Sequence, residues 1–282
     1  MLLKRKTSAE TLKLQEKYGV PYLVFPSLEN TGLVRHAFST RLGGCSTGDL
    51  ATMNLSSTRG DDPENVKENF QRFGAAVGFD PKDLVLSLQT HTTNVRLVTE
   101  EDRGKGFTRP RDYKDVDGLI TNVPGLVLAT FYADCVPLYF VDPVHRAIGL
   151  SHSGWRGTVN RMGEVTLQRM KEAFGTRPSD VWTAIGPSIC QDCYEVSEDV
   201  AQEFISAFEG RVDNRLLYRK ENGKYQLNLW RANELVLLES GVPKDRIAVT
   251  DICTCCNPQV LFSHRASKGK RGNLGAFLQL LS

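Results

Sequence analysis

Residues 126–157 read LVLATFYADCVPLYFVDPVHRAIGLSHSGWRG. Three short apolar runs stand in this stretch, Leu126–Tyr132, Pro137–Val141 and Ala147–Ser151, and they read as strands of a central β-rich block. Toward the N-terminus, Tyr22–Phe25 and Leu33–Ser39 are further β-type runs, followed by a loop from Thr40 to Asp49 with three glycines. Asp62-Pro63-Glu64 opens a helix: Asp is a capping residue, Pro suits the first helical position, and an acid favours the positive end of the helix dipole. Val66, Phe70, Phe73 and Val77 then recur at helical spacing, and Gly78 ends the run. Leu84–Leu88 and Val95–Val98 read as strands around the polar interruption Gln89-Thr90-His91-Thr92.

Beyond the block, Thr158–Phe174 reads as a helix with Val159, Met162, Thr166 and Met170 on one face. Val181–Ile185 is a strand, Val196–Phe208 and Leu229–Glu239 are helices, and Gly241 stands where a C-terminal cap would. Ile247–Asp251 and Leu274–Leu280 close the chain as strands. Strands and helices follow one another without regular βαβ alternation, which predicts an α+β domain of packed sheets with helices outside.

The chain has 282 residues, of which 40% are hydrophobic and 24% charged, the balance of a folded globular protein rather than a disordered one. A net charge of +2 is too mild to point to a nucleic-acid partner. The start has no signal-peptide core. The longest apolar run, Leu126–Phe140, is broken by Thr130, Asp134 and Pro137, short of the ~20 residues of a membrane span. The expectation is a cytoplasmic protein with no membrane partner. Seven cysteines, an odd number, suit reduced thiols acting as ligands or nucleophiles better than a disulfide framework.

Three positions could carry chemistry. His91 lies between two strands, Cys135 sits in Ala133-Asp134-Cys135-Val136-Pro137, and His152 ends a strand in Ser151-His152-Ser153-Gly154-Trp155-Arg156-Gly157. Their gaps of 44 and 17 residues follow no local ligand rule, so only the fold can assemble a site from them. Two imidazoles and a thiolate suit zinc and leave a fourth position open, as in catalytic zinc sites. Two other readings stand beside this one. Cys135 could be the nucleophile of a cysteine hydrolase with either histidine as its base. Alternatively the chain is a non-catalytic metabolite-binding module, its Cys a small buried hydrophobe.

Several segments occur in a telling order: Phe38-Ser39-Thr40-Arg41-Leu42-Gly43-Gly44, Gln89-Thr90-His91, Ala133-Asp134-Cys135-Val136-Pro137, His152-Ser153-Gly154-Trp155-Arg156-Gly157-Thr158, Ile185-Gly186-Pro187-Ser188-Ile189 and Cys193-Tyr194-Glu195-Val196. Together they resemble the laccase-domain family, first described as multicopper polyphenol oxidoreductases and better described as zinc-dependent purine nucleoside phosphorylases. Phe262-Ser263-His264-Arg265 resembles the family's Phe-Ser-Tyr-Arg element, with His in place of Tyr. The resemblance runs from about Leu33 to the C-terminus. A run of ordered motifs is far more specific than any one alone.

The resemblance implies that His91, Cys135 and His152 are the zinc ligands. It implies a single domain, residues 1–282 with 1–30 a peripheral N-terminal segment, built of mixed β-sheets packed together and flanked by helices. It also implies action on adenosine, inosine, guanosine and methylthioadenosine with phosphate, plus adenosine deamination. A multicopper oxidase is excluded by arithmetic, because five histidines in the whole chain cannot furnish its His-rich ligand set.

Deamination needs a carboxylate to shuttle protons near the zinc. Asp134, the acid nearest in sequence to a ligand, is the expected general base, although strand neighbours point to opposite faces. Orienting a ligand histidine is the other role open to it. Arg41 and Arg156, each in a Gly-containing loop, are expected to bind phosphate, because a guanidinium matches phosphate oxygens bidentately, and Arg265 is a third candidate. Asn54, in Met53-Asn54-Leu55, is expected to hydrogen-bond sugar or base. Trp155 could stack on a purine, although a Trp in such a place is more often part of the core.

Four further cysteines form two CxxC pairs, Cys190 with Cys193 and Cys253 with Cys256, separated by 59 residues. A zinc ribbon spaces its halves by about 15–20 residues, so this gap argues against a structural zinc. No βαβ pattern supports a thioredoxin-like role either.

Overall fold

Neighbouring residues of a strand point to opposite faces, and here both faces are covered. In Val127–Tyr132, Leu128 and Tyr132 join a core between two sheets, whereas Val127 and Ala129 join a second core under helix Pro63–Val77. In Val136–Asp142, Tyr139 and Val141 enter the inter-sheet core, whereas Leu138 and Phe140 pack under helices Met162–Phe174 and Leu229–Glu239. Double burial is why these stretches read as unbroken apolar runs rather than alternating ones.

The computed structural model describes residues 3–282. Its first sheet runs, edge to edge, Lys13–Lys17, Val20–Val24, Val34–Ser39, Leu274–Leu280, Val127–Tyr132 and Leu84–Leu86. The second runs Ile247–Val249, Trp182–Ile185, Val136–Asp142, Ala147–Ser153, Gly118–Thr121 and Val95–Leu97. Both are mostly antiparallel, with parallel pairs only at their edges. A small third sheet joins Glu195–Val196, Tyr225–Leu227 and Leu217–Arg219. The result is the expected α+β domain, two mixed sheets face to face with helices on the outer sides. No helix among the described residues is long and apolar enough to cross a membrane.

The expected helix after Asp62 forms as Pro63–Val77: the Asp62 side chain accepts the Glu64 N–H at 2.9 Å, and Gly78 closes it at φ 98°. The helix expected over Thr158–Phe174 is two, Trp155–Val159 and Met162–Phe174, because Arg161 takes a left-handed φ of 58°. The helix expected from Val196 starts at Glu198, since Val196 belongs to the small sheet. The N-terminal segment, expected over 1–30 to be peripheral, instead supplies through residues 13–24 the two outermost strands on one side of the first sheet. It also buries Leu12, Leu23, Phe25 and Leu28 in the inter-sheet core.

Candidate metal centre

Cys135 sits where the chain crosses between sheets. Val127–Tyr132 ends in the first sheet, Val136–Asp142 begins the second, and Asp134 between them takes a left-handed φ of 90°. The antiparallel ladder pairs Pro137 with His152, which brings His152 to the same end. His91 arrives from the loop after Leu84–Leu86, at the edge of the first sheet. The ligand atoms of all three residues lie within 4.8 Å of one another. His91 Nε2 is 4.0 Å from Cys135 Sγ, and the two imidazole rings meet edge to face at 5.0 Å between centroids.

A residue that the sequence reading missed organises this centre. The fully buried Asp117 accepts a hydrogen bond from His152 Nδ1 at 2.8 Å. The same carboxylate accepts the backbone N–H groups of Thr90, His91 and Thr92 at 2.9, 3.1 and 3.1 Å. Burial pushes its pKa up, but His152 and the loop N–H groups outweigh this and hold it low. A signal was present: in Val116-Asp117-Gly118-Leu119-Ile120 an acid directly precedes an apolar strand, where a charge is buried only if it is paired.

With Nδ1 on Asp117, His152 is left with Nε2 for the centre. Burial raises the Cys135 thiol, but His152 and His91 beside it draw its pKa down to about 6. Burial lowers His152, but Cys135 and Asp117 bring it up to about 9. The arrangement favours thiolate, the form of cysteine that binds metal. Gly154 makes the approach possible, since a Cβ there would stand 3.0 Å from His91 Cδ2 and 3.3 Å from Cys135 Sγ. One thiolate and two imidazoles, one of them held by a carboxylate, fit a borderline-soft divalent ion with a position left open.

The three residues line a cavity of about 710 Å³. Phe70, Phe107 and Phe131 form an aromatic part of its wall, with Phe70 at 5.1 Å from Phe107 and 6.2 Å from Phe131 between ring centroids. Lys67, Arg111 and Arg271 bring positive charge to it. Burial and the neighbouring Arg59 draw the Arg271 pKa down to about 10. Arg271 Nη1 bonds Asn273, whereas its buried Nε has no partner among the described residues.

None of the residues expected to hold substrate lines this cavity, and each has a visible reason. Arg41 donates to the carbonyls of Ala51 and Pro258, both at 2.9 Å, and lies over the Phe262 ring. Arg265 donates to the carbonyls of Cys193 and Glu195 at 3.3 and 3.0 Å. Asn54 is fully buried and spends its amide on Ser56, Asp61 and Asn273, shaping the loop whose next residues reach the cavity. Arg156 is exposed and stacked 4.3 Å over Trp155, whose ring packs against the helical core instead of facing the cavity. Asp134, the expected general base, has both oxygens engaged: Oδ1 accepts from Thr254 Oγ1 at 2.6 Å and Oδ2 from the Arg265 N–H at 2.7 Å. It braces the 254–265 segment against the ligand strand.

A family model described as multi-copper polyphenol oxidoreductase laccase matches residues 35–281. The chain belongs to this family. It is 35% identical over 254 residues to purine nucleoside phosphorylase YlmD of Bacillus subtilis strain 168, covering 89% of this chain and 90% of that one. It is 33% identical over 231 residues to a protein named adenosine deaminase RL5, from an unknown prokaryotic organism, covering 81% and 87%. The crystal structure of YlmD from Geobacillus stearothermophilus aligns with a TM-score of 0.87 at 33% identity, over 95% of this chain and 99% of that one. Membership in the laccase family, expected from the ordered motifs, is thus shown.

Proposed function

We propose that this chain is a zinc-dependent purine nucleoside phosphorylase that also deaminates adenosine, acting in the cavity beside His91, Cys135 and His152. The observation that carries this reading is the convergence of three donors from separate elements, within 4.8 Å, on the wall of a nucleoside-sized cavity. The names of its relatives point the same way. Adenosine, inosine, guanosine and methylthioadenosine are the substrates, with inorganic phosphate as the second reactant of phosphorolysis. Its unpaired thiols suit a reducing cytoplasm.

Zinc on His91, Cys135 and His152 supplies a Lewis acid at the cavity wall. The rest falls to the chain's own groups. Asp117 keeps His152 in one tautomer and holds the loop of His91. Phe70, Phe107 and Phe131 offer an apolar, aromatic surface to the purine. Arg271, whose Nε has no partner among the described residues, and the nearby Arg111 and Lys67 offer charge to phosphate. Asp134 acts as a positioning residue, since its oxygens are already bonded.

The test is zinc analysis combined with release of free base from inosine or adenosine in phosphate. Loss of one zinc equivalent and of turnover in Cys135→Ala supports the reading. A zinc-free protein alkylated selectively at Cys135 would make it a cysteine hydrolase instead. A zinc-loaded, folded protein that turns over no purine nucleoside would overturn it.

A further inference from the structure

Cys190 precedes and Cys193 ends the turn Gln191–Cys193, which follows strand Trp182–Ile185, and Cys253 precedes and Cys256 ends a turn after strand Ile247–Val249. Those two strands pair in parallel, and Ser188 bridges to Cys253 beyond them. Parallel pairing puts the ends of both strands on the same side of the sheet. The 59-residue gap that argued against a metal is therefore closed by the fold.

The four sulfurs all lie within 4.8 Å of one another, with Cys193 and Cys256 at 3.5 Å and Cys190 and Cys256 at 3.9 Å. A disulfide would bring two sulfurs to about 2.05 Å. Tetrahedral zinc with bonds of about 2.3 Å sets its sulfurs about 3.8 Å apart. The spacing is that of ligands around one ion. Cys253 Sγ accepts backbone N–H groups from Cys190 at 3.2 Å and from Cys256 at 3.4 Å, one from each CxxC turn. Such donors stabilise a thiolate. Lys6, paired with Asp192 inside the first CxxC, adds positive charge beside a cluster that would otherwise be strongly anionic.

We propose that Cys190, Cys193, Cys253 and Cys256 form a second metal site, a closed tetrathiolate that holds one zinc ion. Four protein ligands leave no open position, so its role is structural. The ion staples the two CxxC turns behind the cavity centre. Thr254, inside the second turn, bonds Asp134, the neighbour of Cys135. The carbonyl of Asp134 accepts the N–H of Ile189, next to Cys190. The N-terminal arm is tied to the same place, because Lys4 and Asn257 exchange two hydrogen bonds at 2.7 and 3.0 Å.

Metal counting and cobalt spectroscopy on the full chain test this. The wild-type protein, purified under reducing conditions, is expected to hold two zinc ions and Cys135→Ala one. Cobalt-loaded Cys135→Ala is expected to show the thiolate-to-cobalt charge transfer and visible bands of a tetrahedral four-sulfur site. The double variant Cys193→Ser, Cys256→Ser is expected to lose one zinc equivalent and melt at a lower temperature. Should that variant not fold, the cobalt spectrum of Cys135→Ala decides. Failure of the cavity reading would look different: one zinc in the wild type, fully retained in Cys135→Ala. A metal-free Cys135→Ala protein, iron in place of zinc, or a disulfide among these four cysteines by intact mass would overturn the second site.

Discussion

Asp117 Oδ1 lies 2.8 Å from His152 Nδ1, and the same carboxylate gathers the N–H groups of Thr90, His91 and Thr92. One buried acid thus sets the tautomer of His152 and the backbone course of the His91 loop. Removing such a partner typically weakens metal binding by about 10–100-fold. Asp117→Asn is expected to show that loss when zinc is titrated against a chromophoric chelator. Unchanged affinity in a folded variant would contradict the role given to Asp117.

Gly154 is a test of how closely the ligands are packed. Gly154→Ala places a methyl 3.0 Å from the His91 ring and 3.3 Å from the Cys135 sulfur, so one ligand must move. Displacements near 1 Å at a reacting centre cost on the order of 100-fold in rate. The variant is expected to keep its fold by circular dichroism and lose turnover on that scale. Full activity with full zinc would show that the centre has slack.

Anion binding separates Arg271 from Arg156. Only the first lines the cavity, and its buried Nε has no partner among the described residues. A hydrogen bond to a charged group contributes about 1.5–3 kcal/mol. Arg271→Ala is therefore expected to raise the KM for phosphate by roughly 10–100-fold and to spare deamination, which uses no phosphate. Arg156→Ala is expected to change the phosphate KM little. The reverse pattern in steady-state kinetics would return the clamp to Arg156.

His36, packed against Phe25 and Tyr139, couples stability to pH. Its Nε2 accepts the Phe25 N–H at 2.8 Å, which puts the proton on Nδ1, a buried atom with no partner among the described residues. Burial holds its pKa down at about 3, below the ordinary 6.5. The unfolded chain therefore takes up a proton that the native chain refuses. The contribution to stability is complete above pH 6.5 and is lost as pH falls from there toward 3. The slope from this one group is about 1.4 kcal/mol per pH unit. Urea unfolding of His36→Gln is expected to show a pH dependence shallower than wild type by that amount across the acid window. Equal slopes would mean that His36 titrates alike in both states.

Much of the frame is legible in the chain itself. The Asp62-Pro63 start and Gly78 stop of one helix, the helix Leu229–Glu239 and the strand Leu274–Leu280 all form where local pattern places them. Caps, hydrophobic spacing and glycine conformation act over a few residues, so a linear reading captures them. The ordered motifs were likewise enough to single out His91, Cys135 and His152, whose atoms do meet. The polar strand Lys13–Lys17 was not legible, because an edge strand with an exposed face carries no apolar signature.

What the tertiary structure alone decided is which distant groups share a neighbourhood. Asp117 reaches His152 across 35 residues, and Arg271 reaches the cavity from near the C-terminus. Two cysteine pairs meet because their strands run side by side, while Arg41 and Arg265 donate to backbone carbonyls and Asn54 is taken up by Ser56, Asp61 and Asn273. Residue type and local spacing are properties of the chain. The partner that satisfies a guanidinium, carboxylate or thiol is chosen by sheet pairing and burial, and those exist only once the chain has closed on itself.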